Sequence, residues 1–220
     1  MENVRKVDPS FVPSCPGLLV IDTPGHESFS NLRSRGSSLC DLAILVVDLM
    51  HGIEQQTKES IQMLKNRNIP FIIAINKVDR CSEWNPLEWA DFRKTWATQN
   101  SVTVQDFTTK FNKLNLQLLE EDLNCKLYWE NVNEKENYNI IPTSAHSGEG
   151  IPDILYNLLR LTNTYMKKRL EYKAELNCVV MDVKRIEGHG TTMDVILTNG
   201  CLRERDRICV MGLGGVIKSY

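Results

Sequence analysis

Short apolar runs alternate with polar stretches along the first three quarters of the chain. Three of these runs end in an acid or an amide: GLLVID (17–22), LAILVVD (42–48) and FIIAIN (71–76). A fourth run, YNIIPTSA (138–145), follows a long polar and aromatic stretch. Runs of this length that are rich in Val and Ile are typical of strands buried on both faces of a parallel sheet. The pattern therefore predicts an α/β fold whose strands carry polar residues at one edge.

The polar stretches between these runs carry apolar residues at helical spacing. Residues 52–70 place Ile53, Ile61 and Leu64 among polar side chains and end at Pro70, which predicts a crossover helix. The clearest helix is predicted after residue 150, where one face carries Ile151, Ile154, Leu155, Leu158, Leu159 and Thr162.

The stretch from 82 to 135 has a looser pattern, which predicts an inserted helical segment with one helix within 108–124. Its tryptophans at 84, 89 and 96 are expected to pack in the interior. Stacking on nucleic acid is the less favoured alternative, because no basic run is interleaved with them.

A change of period marks the last fifty residues. From residue 172 onward, apolar and polar residues alternate in AELNCVVMDVKRI, GTTMDVILTNG and RDRICVMG, which predicts β-strands. Asn199-Gly200 is predicted to be a hairpin turn. The segment is short for a closed barrel, so only part of one is expected.

The composition narrows the cellular context. The 220 residues carry 26 basic and 28 acidic side chains, a net charge of −2, which gives no sign of general affinity for DNA or RNA. The 7 cysteines form no C-x-x-C pair and indicate reduced thiols. No apolar stretch reaches the roughly 18 residues of a membrane span, and no signal peptide is recognisable. We therefore expect a cytoplasmic protein without a membrane partner.

Three motifs follow three of the predicted strands. D-T-P-G-H begins at Asp22, N-K-V-D spans 76–79, and S-A stands at 144–145. The carboxyl ends of parallel strands meet at one edge of a sheet, where ligands of open α/β sheets bind. Taken alone, Asp22 is equally well a turn acid, and His26 a residue at a helix N-terminus. The order of the three motifs instead favours one shared ligand site.

These residues resemble the guanine-nucleotide-binding GTPases, and the wider sequence resembles their translational branch. D-T-P-G-H-E, followed by N-L-R-S-R-G-S-S-L-C-D-L-A-I-L-V-V-D and M-H-G-I-E-Q-Q-T, is similar to the initiation factor 5B family, relatives of bacterial initiation factor 2. The likeness runs from about 17 to 217 and is weaker across 81–135. It implies a P-loop GTPase-like parallel sheet with flanking helices, followed by the start of a translation-factor β-barrel.

The resemblance implies GTP or GDP as ligand, with Mg²⁺ on the phosphate side. Asp22 would hold Mg²⁺ through a water of its shell, since Mg²⁺ prefers oxygen ligands and retains waters. The Gly25 N–H would reach the γ-phosphate, because glycine lacks a Cβ that would block the approach. His26 would be the catalytic residue that positions the attacking water.

The same resemblance implies a base site in the other two motifs. Asp79 would accept hydrogen bonds from the N1–H and N2–H₂ groups of guanine, a donor pair that adenine lacks. Asn76 and the stem of Lys77 would support the base. The loop after the fourth strand would complete the nucleotide-binding set, with the Ala145 N–H donating to guanine O6 and with Ser144 and His146, the latter mainly through its backbone.

The resemblance also divides the chain into domains. Residues 1–16 are expected to be an N-terminal remnant and 17–171 an incomplete GTPase domain, with the insertion at about 82–135. Residues 172–220 would be a partial β-barrel domain. Where the family has glycine, this chain has Arg205; if the turn there needs a positive φ, the arginine costs about 1 kcal/mol.

Parts of the family pattern are not recognisable in the sequence. It contains no G-x-x-x-x-G-K-[ST] phosphate loop and no threonine-bearing switch segment before the first motif, so we expect a truncated form lacking a central strand. The later domains, which contact initiator tRNA, are also expected to be absent.

Two functions stay open. One is a GTP-binding initiation factor that, in its complete form, promotes ribosomal subunit joining with GTP hydrolysis. The other is a non-hydrolysing truncated paralogue that binds guanine nucleotides, the ribosome or factors, or a degenerate relic. The ribosome and initiation factors are the expected partners in either case.

Overall fold

The structure is a computed structural model with two compact units, Met1–Lys167 and Lys168–Tyr220. The boundary predicted between 171 and 172 lies just inside the second unit. The structure describes residues 2–15, 17–22, 40–134, 136–167, 170–188, 190–206, 208–212 and 215–219.

A four-stranded parallel sheet forms the centre of the first unit. Its strands are β1 (Ala43–Asp48), β2 (Phe71–Asn76), β3 (Cys125–Leu127) and β4 (Tyr138–Pro142), in the order β1-β2-β4-β3. All three pairings between neighbours are parallel. Three of the apolar runs singled out in the sequence form β1, β2 and β4, which confirms the predicted parallel α/β fold. The short strand β3 was not predicted.

The strand predicted over 17–22 is wrong for the described structure. These residues form no strand, and Leu19 and Val20 are 75% and 78% exposed. An apolar run becomes a strand only where a neighbouring strand satisfies its backbone N–H and C=O groups. None of the described strands pairs with this segment.

Strand β1 lies at one end of the sheet and is covered unequally on its two faces. Leu45 and Val47 are buried on one face, whereas Ile44 and Val46 on the other are 39% and 57% exposed. Alternate residues of a strand point to opposite faces, so the described residues leave the second face of β1 partly open to solvent.

The helices flank the sheet. The crossover helix predicted between the second and third apolar runs is confirmed, and the helix predicted within 108–124 in fact begins at 101. No helix in the described parts of the chain is long and apolar enough to cross a membrane. The helices are α1 (Glu2–Val7), α2 (Gln55–Asn66), α3 (Phe92–Ala97), α4 (Ser101–Glu120) and α5 (Ile151–Leu161), the last continued by a π-helical turn, Thr162–Met166.

The insertion contributes an aromatic cluster to the core. The Phe92 ring lies 6.0 Å from that of Trp84 and 5.9 Å from that of Trp96, and both rings stack on it. The packing role predicted for these two tryptophans is therefore confirmed. Trp89, in contrast, is 51% exposed.

The second unit contains antiparallel strands: β5 (Asn177–Ile186) pairs with β6 (Gly190–Asn199), and β7 (Ile208–Gly212) pairs with β8 (Gly215–Ser219). This is consistent with the predicted start of a barrel. The hairpin turn predicted at Asn199-Gly200 is wrong, because the β5–β6 connection lies at the other end of the pair and the strand after Gly200 pairs with β8.

Candidate functional site

The parallel register brings three loops to one edge of the sheet. Asp48, the last residue of β1, lies beside Asn76, the last residue of β2. One strand further on, Ile75 lies beside Pro142, near the end of β4. The loops are then tied together, because the Val78 N–H donates to the Thr143 carbonyl at 3.2 Å. The edge thus collects the segments that follow β1, β2 and β4.

The N-K-V-D segment turns sharply after β2. Lys77 adopts a left-handed backbone with φ of 69°, and a 3₁₀ turn, Val78–Arg80, follows. The Asn76 Oδ1 accepts from the Lys77 N–H at 2.8 Å and from the Ala145 N–H at 3.0 Å. One amide oxygen therefore holds the segment after β2 against the loop after β4.

Two carboxylates at this edge differ in their partners. Asp48 accepts hydrogen bonds from Lys77 Nζ at 2.6 Å, His51 Nδ1 at 2.7 Å and the Met50 N–H at 2.8 Å. Burial opposes the ionisation of Asp48, but these donors outweigh it and hold the pKa of its carboxyl below the usual range. The Asp79 carboxylate, partly exposed, forms no hydrogen bond or ion pair with the residues that the structure describes. It is available for an external donor.

The loop after β4, residues 144–150, is closed on itself; we call it the base loop. The buried Ser144 Oγ accepts from the backbone N–H groups of His146 and Ser147, each at 3.2 Å. The Ser144 N–H donates to the Glu149 carbonyl at 3.0 Å. Ala145 and His146 stay exposed at the tip of the loop.

The structure brings one part of the predicted site together. The base-side residues meet at this edge: Asn76, Lys77, Asp79, Ser144, Ala145 and His146. The Ala145 N–H, expected to donate to guanine O6, has the Asn76 side chain as its acceptor, so O6 would have to share or replace that bond. That role stays a prediction.

The phosphate-side residues are a different case. Asp22 is exposed in the unpaired segment 17–22, and no described residue forms a hydrogen bond or ion pair with it. Gly25 and His26 lie outside the described residues. Within the described ranges, no group of three or more His, Cys, Asp or Glu side chains could hold a metal ion. The Mg²⁺ role of Asp22 is thus a prediction without geometric support.

Sequence reasoning missed two acids that support this edge. Asp48 could have been found, since it ends its apolar run in the same way as Asp22 and Asn76 end theirs. Glu149 is fully buried beneath the base loop, where it accepts from Trp84 Nε1 and the Leu87 N–H. No spacing rule relates Glu149 to a tryptophan 65 positions earlier, so the sequence carried no signal for this contact.

Comparison with known proteins shows the family of this chain. Residues 10–164 match the family model of the elongation factor Tu GTP binding domain. The chain belongs to this family. It is 52% identical over 202 residues to eukaryotic translation initiation factor 5B of Saccharomyces cerevisiae, covering 92% of this chain and 20% of that protein. The human protein of the same name is 48% identical, with 92% and 17% covered.

A solved structure matches the whole fold of this GTP-binding domain. Over 98% of this chain and 37% of the other, GDP-bound aIF5B from Aeropyrum pernix superposes with a TM-score of 0.89 at 39% identity. The resemblance to initiation factors of the 5B type is confirmed. The chain spans about a fifth of the length of these two curated relatives.

Proposed function

We propose that the edge formed by β1, β2 and β4 is the guanine-binding part of the nucleotide site of a translation initiation factor of the 5B type. The observation that carries this proposal is the Asp79 carboxylate, which has no hydrogen-bond partner among the described residues and lies in the turn that follows Asn76, the residue whose side chain binds the base loop. A partly exposed carboxylate that has no donor within the described chain is free to accept from a ligand, and hydrogen bonds to a charged group are stronger than those between neutral groups.

Guanine supplies the donors that such a carboxylate requires. Its N1–H and N2–H₂ groups point the same way and match the two oxygens of Asp79. Adenine presents an acceptor at N1 and no amino group at C2, so it would leave the carboxylate unsatisfied. Asn76 and the Lys77 stem would flank the ring, and the base loop, with Ser144, Ala145 and His146, would face its O6 side.

The phosphate side of the nucleotide rests on the resemblance alone. GTP would supply a γ-phosphoryl group for transfer to water, with Mg²⁺ held through water by Asp22. Gly25 and His26 would contact the γ-phosphate and position the water. Nothing in the geometry of the base side depends on these roles.

The activity of a whole protein containing this domain is also proposed. The relatives are named as translation initiation factors, which supports a role in ribosomal subunit joining, with the ribosome and initiation factors as partners in the cytoplasm. The alternative function is a module that binds guanine nucleotides without hydrolysing GTP. Such a module would use the same base loop and the same N-K-V-D turn, and would differ only on the phosphate side.

Exchange of one atom at Asp79 tests the proposal. In Asp79→Asn, the amide still accepts from N1–H but can no longer accept from the amino group. We expect GDP affinity, measured by calorimetry, to fall about 10-fold or more, as for a hydrogen bond to a charged group. Xanthosine diphosphate, which carries an oxygen at C2, should then bind better than GDP. Equal affinities of wild type and variant for GDP would contradict the proposal.

A further inference from the structure

Glu149 is a carboxylate buried where no cation neutralises it. Its side chain is fully excluded from solvent, and no lysine, arginine or histidine in the described ranges forms an ion pair with it. Burying a carboxylate costs several kcal/mol unless hydrogen-bond donors surround it. Here the donors are Trp84 Nε1 at 3.2 Å, the Leu87 N–H at 2.9 Å and the Ser147 hydroxyl.

These donors come from two different segments. Ser147 belongs to the base loop, whereas Trp84 and Leu87 belong to the insertion, in the stretch 84–90 that follows the N-K-V-D turn. The carboxylate therefore binds the insertion to the base loop. Because each donor is needed to offset the burial of one charge, the two segments hold each other in a single arrangement.

Backbone contacts reinforce the same junction. The Trp89 N–H donates to the Ser147 carbonyl at 3.0 Å, and the Gly150 N–H donates to the Ala90 carbonyl at 3.1 Å. The Trp89 ring lies directly over Gly148, where an added Cβ would come within 2.7 Å of it. The insertion thus encloses one side of the base loop, and Asn76 holds the other side through the Ala145 N–H.

We propose that Glu149 and Trp84 are positioning residues that fix the base loop for recognition of guanine O6. The inference rests on the proposed function and adds a role for the insertion, which would set base specificity without touching the base. A loop held in its binding conformation loses less entropy on binding, so loosening it weakens the contacts made by the loop itself. The contact of Asp79 with the amino group lies on another segment and stays intact.

Trp84→Phe is the informative variant. It removes the Nε1 donor to Glu149 and keeps an aromatic ring against Phe92. Trp96→Phe is the matched control, since Trp96 stacks on the same ring from the helix α3. If Trp84→Phe fails to fold, Glu149→Gln replaces it, because the amide halves the acceptor capacity at nearly constant shape.

The measurement compares three nucleosides by NMR titration: guanosine, 6-thioguanosine, which replaces only O6, and inosine, which lacks only the amino group. We expect Trp84→Phe to reduce the preference for guanosine over 6-thioguanosine by about 5-fold, as for one hydrogen bond, and to leave the preference over inosine unchanged. Trp96→Phe should change neither preference.

The outcomes separate the two proposals. The positioning role would be overturned if Trp84→Phe kept the wild-type preference for guanosine over 6-thioguanosine. It would also be overturned if the variant lost this preference and the preference over inosine equally. Neither result would contradict guanine binding itself. A wild-type chain that does not distinguish guanosine from inosine would instead overturn the proposed contact of Asp79 with the amino group and with it the proposed function, and the positioning role would fall too.

Discussion

Two apolar runs of similar composition adopt different structures in this protein: one forms a buried strand and the other forms no strand. FIIAIN, 71–76, forms β2 with parallel neighbours on both sides, and Ile72, Ile73 and Ile75 are fully buried. GLLVID, 17–22, forms no strand, and Val20 is largely exposed. The difference lies in the availability of neighbours and not in the residues themselves, since a strand needs partners for its backbone polar groups.

The comparison extends to the polar residues that end each run. Asn76 is fixed by two hydrogen bonds and joins two loops into one edge, whereas Asp22 has no described partner. A side chain can take part in a preorganised site only when its backbone is held. The base side of the nucleotide site therefore has a described geometry that can be tested directly. The phosphate side is known only from the identity of its residues in the sequence.

The largest contrast is expected from truncating one apolar side chain in each run. Ile73→Ala leaves a cavity in a fully buried position and should lower the free energy of unfolding by about 4 kcal/mol. Val20→Ala should change it by less than about 0.5 kcal/mol. Tryptophan fluorescence in a urea titration reports the first unit, because the tryptophans at 84, 89, 96 and 129 all lie there. Similar losses would mean that 17–22 is buried in solution.

Backbone crowding gives the next contrast. Gly150 has a φ of 73°, and an added Cβ would lie 2.1 Å from the Pro142 carbonyl oxygen. Gly150→Ala should therefore cost about 3 kcal/mol, from the left-handed backbone and the displacement of the base loop. An added Cβ at Gly17 meets nothing within 4 Å, so Gly17→Ala serves as the control in the same urea titration and should be close to neutral. A tolerated alanine at 150 would show that the base loop is adaptable.

Sequence reasoning identified β1, β2 and β4 as strands of a parallel sheet and predicted the convergence of their polar ends, because both follow from local pattern and from parallel topology. It failed where the outcome depends on a distant partner. The segment 17–22 has a strand-like composition without a neighbour, and β3 is too short to show a pattern. From the sequence, Glu149 has the pattern of an ordinary surface acid. It is buried only because the insertion packs against it in the folded chain. Asn199-Gly200 is a residue pair typical of hairpin turns. It lies, however, at the open end of the β5–β6 pair, opposite the loop that connects the two strands.

The smallest contrast comes from removing the charge of the acid that ends each of two apolar runs, Asp48 and Asp22. Asp48→Asn should lower stability at pH 7 by about 2 kcal/mol, since it weakens hydrogen bonds from Lys77 and His51 to an ionised group. Asp22→Asn should have no measurable effect. Folding depresses the pKa of the Asp48 carboxyl, so the contribution of its charge to stability is fully present above 3.8, the ordinary value for an aspartate, and is lost as the pH falls further.

The difference in stability between wild type and Asp48→Asn should therefore narrow as the pH is lowered from 5 to 2 in matched urea titrations. A difference independent of pH would show that the hydrogen bonds of Asp48 do not require its charge. A pH-dependent loss in Asp22→Asn would show that the first motif also has a partner in the folded chain, and the contrast between Asp48 and Asp22 would then disappear.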